Sequence, residues 1–199
     1  MDTYSYICYM KKRTDKEMAW KVLDSESIIS RPWLTARRDR VELPGGQICN
    51  EFYVLSYPTW VNTIALTADG RMIVERQYRH AIGKVCTEIC AGVVEAGELP
   101  IEAARRELLE ETGYTGGSWQ ELMVICPNPG SMDNYCHCFL ARGVEPTAQQ
   151  HLEETEDIEV LLKTQEEVYA MLKRGEFLQA LMVAPLWRFF AGEAGKQEK

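Results

Sequence analysis

Three glutamates, Glu107, Glu110 and Glu111, stand in the run Arg106-Glu107-Leu108-Leu109-Glu110-Glu111-Thr112-Gly113. At helical spacing the positions i, i+3 and i+4 share one face, so the three carboxylates would lie side by side. Like charges so placed cost about 0.2–0.5 kcal/mol per pair unless a cation offsets them. Carboxylate and carbonyl oxygens suit Mg2+ or Mn2+, ions that usually serve phosphate substrates. Taken alone, such a run also fits a plain solvated acidic face.

The elements around the run supply a rigid support. Pro100 suits a first helical turn, and Gly113 suits the left-handed position that ends a helix. Ile101, Ala104 and Leu108 form the apolar stripe that would dock the helix on a core. Upstream the order is Gly92, five residues, Glu98, seven residues, Arg106. Seven positions so fixed (Gly92, Glu98, Arg106, Glu107, Glu110, Glu111, Gly113) match by chance roughly once in 10⁸ starts. This pattern resembles the Nudix box of the Nudix hydrolases at every defining position. The box usually continues with an aliphatic residue, and Tyr114 is a mild departure.

Other stretches narrow the resemblance. VERQYRHAIGKVCTEICAG is similar to the ADP-ribose and nucleoside-diphosphate-sugar pyrophosphatases, in which RQYR is followed by Glu-x-Pro-Ala-Gly. Here the second motif reads Glu88-Ile89-Cys90-Ala91-Gly92, with cysteine in place of proline. Pro129 and Gly130, in Asn128-Pro129-Gly130-Ser131, resemble that branch's proline-containing loop. Glu154 and Glu156 resemble its later acidic loop, and WKVLDSE through RPWLTARRDRVELPGG its dimer-forming strands.

The resemblance implies attack of water on a substituted diphosphate, with Mg2+ or Mn2+ as cofactor. Glu107 and Glu111 would be metal ligands, with Glu110 joining directly or through water and the Ala91 carbonyl also coordinating. Arg106 would orient a box glutamate, a phosphate contact being the alternative, and Glu98 would orient ligands or waters. Glu154 is the candidate base and Glu156 a third-metal ligand; a solvated loop is the alternative for both. Arg79 is a candidate diphosphate clamp, since guanidinium grips phosphate bidentately. Glu88, Pro129 and Gly130 complete the implied substrate contacts. Trp33 is the aromatic that could stack on a nucleobase, or else a core residue. The activity implied is hydrolysis of ADP-ribose or a similar nucleoside-diphosphate sugar to AMP (NMP) and a sugar phosphate. The alternatives are a GDP-mannose or ADP-glucose type of pyrophosphatase and a non-catalytic ADP-ribose-binding module.

The whole chain sets bounds on this reading. Its 199 residues, 46% hydrophobic and 26% charged, suit one domain, or one domain with a small appendage. A net charge of −8 argues against electrostatic binding to nucleic acid or an anionic membrane. Seven cysteines form no regular framework, and Cys86-x₃-Cys90 and Cys136-His137-Cys138 are the nearest approach to a zinc cluster. They fit buried small side chains in a reducing compartment better. No apolar run suits a signal peptide or a membrane span, so the expectation is cytoplasmic.

Residues 1–58 are expected to be a strand-rich, dimer-forming segment, with a short strand at Tyr4–Met10 and strands around Trp33-Thr35-Arg37. The loop Leu43-Pro44-Gly45-Gly46 should close a hairpin. Residues 59–199 are expected to form the catalytic α/β/α sandwich with a mixed sheet. Its signals are a hairpin on Ala68-Asp69-Gly70, strands at KVCTEIC, SWQELMVIC and NYCHCFLAR, and helices at TQEEVYAMLKRGEF and LQALMVAPLWRFFAG. Pro185 should kink or split the last helix. Exposed strand edges in the first segment point to a homodimer.

Overall fold

Strand alternation and turn chemistry build the first half of the molecule. The structure, a computed structural model, describes residues 12–197; the strand expected at Tyr4–Met10 lies outside them. Two compact units divide the chain, Met1–Tyr57 and Pro58–Lys199.

In the first unit a one-turn helix, α1 (Asp15–Met18), precedes strands β1 (Lys21–Arg31), β2 (Leu34–Glu42) and β3 (Ile48–Ser56). They form an antiparallel sheet in the order β1-β2-β3. Leu43 and Gly46 close the β2–β3 turn, the Gly46 N–H donating to the Leu43 carbonyl at 2.8 Å. Gly46 sits there at φ 82, where a side chain would be strained. Trp33 lies in the β1–β2 turn, not in a strand, and is 69% exposed, so the core alternative for it fails.

The second unit holds a mixed seven-stranded sheet. Its strands are β4 (Trp60–Thr67), β5 (Met72–Arg79), β6 (Lys84–Glu88), β7 (Cys90–Val93), β8 (Tyr114–Ile125), β9 (Cys136–Pro146) and β10 (Ile158–Lys163). The main path runs β10-β5-β4-β9-β8, and β4 and β9 are parallel. The Asp69-Gly70 turn joins β4 to β5 as expected, but the two strands pair only at Leu66 and Met72. Beyond that point they part, and the chain from Lys84 to Val93 fills the wedge, β6 pairing with β5 and β7 with β4.

Helix α2 (Pro100–Thr112) covers one face of this sheet; α3 (Gln165–Lys173) and α4 (Ala180–Gln197) cover the other. Strand periodicity sorts the side chains between them. Val61, Ala65 and Ile73 pack in the clusters that contain Ala103, Ala104 and Leu108 of α2. Ile64, Leu66 and Val74 pack with Val168, Leu172, Met182, Leu186 and Phe189. The result is the expected α/β/α sandwich.

Of the two outcomes expected at Pro185, a kink or a split, the split does not occur. Helix α4 runs unbroken through Pro185. Proline removes the N–H that would reach the Leu181 carbonyl. The buried Asn62 amide supplies a donor in its place, at 2.7 Å from that carbonyl oxygen.

Candidate active site

Helix α2 is built as its sequence suggests. Pro100 occupies the first turn, the Glu102 carboxylate accepts from the Leu99 N–H at 3.1 Å, and Gly113 ends the helix at φ 74. A Cβ on Gly113 would run into the Ala148 carbonyl, so the position needs glycine twice over. The segment after β9 then laces the helix end. Thr147 and Ala148 donate to the Gly113 carbonyl, His151 N–H to Glu110 O at 2.8 Å, and Gln150 Nε2 to Glu111 O at 2.6 Å. That lacing carries the loop of Glu153–Glu156 toward the glutamate face.

The face itself is tied to strand β7. Ala91 N–H donates to Glu111 Oε2 at 3.0 Å, and Val93 N–H to Glu107 Oε1 at 3.1 Å. Between them Gly92 leaves the space that the Glu107 carboxylate fills, since a Cβ there would overlap it. Arg106 is the hub: Nε and Nη2 hold both oxygens of Glu98 at 3.0 Å, and Nη2 donates to Val93 O at 2.8 Å. Nη1 reaches Glu107 at 2.9 Å and Glu110 at 3.0 Å. Five contacts from one guanidinium tie three box glutamates, Glu98, Glu107 and Glu110, to the Val93 carbonyl. Its own pKa rises with these carboxylates around it, Glu98 first, and Arg106 in turn holds Glu98 below the usual range.

Burial works against the charges. Glu111, 4% exposed, is pushed up to about 8 by desolvation, with the charges of Glu107 and Glu156 adding to it. Desolvation also raises Glu107, against the pull of Arg106 and the Val93 N–H. Glu75 on β5, buried opposite Glu88 in the β5–β6 pair, is raised well above the ordinary value by burial, then by Glu111 and Glu88. Its Oε1 has no hydrogen-bond partner. Carboxylates held together at the C-terminal half of a helix also oppose the helix dipole. The donor set, all oxygen on the exposed side, fits a hard divalent cation that would neutralise it.

Arg79, at the end of β5, gives Nε and Nη2 to the two oxygens of buried Glu88 at 2.9 and 2.6 Å. The guanidinium is thereby oriented, with Nη1 outside that pair. A cavity of about 340 Å³ lies beside it, lined by Trp60, Asn62, Arg79, Ala91, Gly92 and Val93 among others. Its wall at Ala91 and Val93 is the same backbone whose N–H groups hold Glu111 and Glu107.

The structure thus gathers Arg79, Glu88, Ala91, Glu98, Arg106, Glu107, Glu110 and Glu111 in one region. Glu156 is close enough for its charge to act on Glu111 and Glu75; it also accepts from the Glu153 N–H at 2.9 Å. Glu154 is exposed in the turn. Pro129 and Gly130 do not line the cavity; Gly130 N–H turns back to Asn128 Oδ1 at 3.3 Å. Trp33 belongs to the first unit. Sequence reasoning missed Glu75, Cys90 as a site residue, and Trp60. Glu75 left one signal: two residues after Ile73, it has the parity of a core position.

Comparison with known proteins decides the family. The NUDIX domain family model matches residues 57–184. The chain belongs to the Nudix family. A second model, the nucleoside diphosphate sugar hydrolase N-terminal domain, matches residues 20–55. This Nudix hydrolase is 31% identical over 166 residues to an ADP-ribose pyrophosphatase of Bacillus subtilis, covering 83% of the chain and 89% of the relative. An ADP-ribose pyrophosphatase of Mycobacterium tuberculosis is 30% identical, with 84% and 82% covered. A methanol dehydrogenase activator of Bacillus methanolicus is 32% identical, with 77% and 83% covered. Among solved structures, an ADP compounds hydrolase shares the fold, with a TM-score of 0.76 at 20% identity, over 89% of this chain and 95% of that one.

Proposed function

We propose that this Nudix hydrolase cleaves the diphosphate of ADP-ribose or a similar nucleoside-diphosphate sugar, releasing AMP (or another NMP) and a sugar phosphate. One observation carries the reading. The backbone of Ala91–Val93 has the glutamate face on one side and, on the other, a cavity lined by an aromatic ring and an oriented guanidinium. Relatives named ADP-ribose pyrophosphatase over more than four-fifths of their length support it.

Glu107, Glu111 and the Ala91 carbonyl, with Glu110 beside them, are the residues that would hold Mg2+ or Mn2+. Such ions supply Lewis-acid charge stabilisation and lower the pKa of bound water. Arg79, steadied by Glu88, meets a phosphate oxygen through Nη1 and keeps the diphosphate against the Ala91–Val93 strand. Trp60 offers a ring for the nucleobase or sugar. Arg106 and Glu98 keep the glutamates in place. Glu156, whose field already reaches Glu111, is the loop carboxylate that takes a proton from the attacking water; Glu154, facing solvent, is the alternative.

The test is a panel of ADP-ribose, ADP-glucose and GDP-mannose, incubated with Mg2+ and with chelator, the products separated chromatographically. Mg2+-dependent release of AMP and ribose 5-phosphate is expected. Tight ADP-ribose binding without turnover of any compound would make the protein a binding module instead.

A further inference from the structure

Beneath the glutamate face, two residues that the hydrolytic reading does not use, Glu75 and Cys90, gather around Glu111. One ligand atom each of Glu75, Cys90 and Glu111 lie within 4.8 Å of one another, and all three residues are buried. Each comes from a different element: Glu75 from β5, Cys90 from β7, Glu111 from α2. Parity on β5 and β7 turns Glu75 and Cys90 to the α2 side of the sheet, with Ile73.

Two buried polar atoms there stand without a partner: Glu75 Oε1, on a residue only 4% exposed, and the hydroxyl of Thr63. Thr63 lies directly opposite Cys90 in the β4–β7 pair. A buried acceptor left unmade costs about 1–3 kcal/mol, more if charged, and a bound cation would satisfy it. Cys90 is also the residue that replaces the proline of the similar pyrophosphatases. The replacement brings a sulfur within 4.8 Å of two carboxylates, its S–H donating to Glu111.

We propose that Glu75, Cys90 and Glu111 form a buried cation site for a thiophilic divalent ion of the zinc class, sharing Glu111 with the Glu107–Glu110–Glu111 face. A thiolate with two carboxylates is a borderline-soft set that favours such an ion over Mg2+, and three protein ligands leave the fourth tetrahedral position for water. On binding, the Cys90 S–H bond breaks, sulfur bonds to the ion and the proton leaves to solvent. The inference concerns the resting protein, so it stands or falls apart from the hydrolytic reading.

The test is a Co2+ titration of the chelator-stripped, substrate-free chain, read by thiolate-to-cobalt charge-transfer absorption. A band saturating at one ion per chain is expected, displaced by excess Zn2+. Cys90→Ser should abolish it, Cys136→Ser should leave it, and Glu75→Gln should weaken binding by at least ~10-fold, as loss of even an indirect partner does. Should Cys90→Ser fail to fold, the Glu75→Gln affinity and X-ray absorption of the zinc-loaded natural chain decide, with a sulfur neighbour at about 2.3 Å expected. No band, a band that survives Cys90→Ser, an unchanged Glu75→Gln affinity, or zinc without a sulfur neighbour overturns the proposal.

Discussion

Glu107 and Glu111 differ in what restrains them. Glu107 is pinned by Arg106 and by Val93 N–H, whereas Glu111 is held by Ala91 N–H in a nearly dry setting. Replacing either by glutamine keeps the volume and removes the charge a cation would meet. Each variant should lose at least ~10²-fold in kcat/KM with Mg2+, because partners further out already account for ~10–100-fold. Full activity of either variant would remove that residue from the site. The acidic loop gives a sharper contrast. Glu156→Gln should lower kcat by ~10²–10⁴-fold with KM little changed, and Glu154→Gln should have a small effect. The reverse result reassigns the base to Glu154. If both variants keep wild-type kcat, the loop is only a solvated surface.

Helix α2 and the strand beneath it carry an electrostatic load whose sign can be worked out. Burial raises Glu75, Glu107 and Glu111, the last from 4.5 to about 8. A carboxyl with a higher pKa folded than unfolded binds more protons in the folded state between the two values. Its stability contribution is therefore full below the unfolded pKa and lost as pH rises through the folded one. Chelator-treated protein should lose stability as pH climbs from 4.5 to about 8, by up to ~1.4 kcal/mol per pH unit from Glu111, with Glu75 and Glu107 acting in the same direction. A divalent cation should flatten the trend. Denaturation midpoints with chelator and with Mg2+ check this; a chelated midpoint that rises over the window would refute it.

At the scale of the molecule, the first unit leaves both sheet edges, β1 and β3, without a paired strand among the described residues. Val22, Ile28, Ile29 and Ile48 on these strands are exposed. Open edges with apolar side chains invite pairing, and we propose a homodimer formed through the segment before Thr59. Sedimentation at micromolar concentration should give twice the chain mass, and Ile29→Lys, which places a charge on the β1 edge, should weaken the association. A monomeric natural chain rules this arrangement out.

The glutamate helix was legible in the sequence because everything that defines it is local. A 3.6-residue period, a proline at its start and a glycine at its end set the face on which Glu107, Glu110 and Glu111 stand, and fixed spacing brought Gly92 and Glu98 with it. The Asp69-Gly70 turn and the sandwich of strands and helices followed from the same short-range rules. What joins distant residues was not legible. No local pattern says that β4 and β5 part after one pair, that Lys84–Val93 fills the gap, or that Glu75 and Cys90 thereby meet Glu111 under the helix. Likewise Pro185 read alone breaks a helix, and only packing shows that Asn62, over a hundred positions away, supplies a donor for the freed carbonyl. Side-chain periodicity belongs to the sequence, but the burial that shifts a carboxylate or leaves one without a partner depends on which elements close over it.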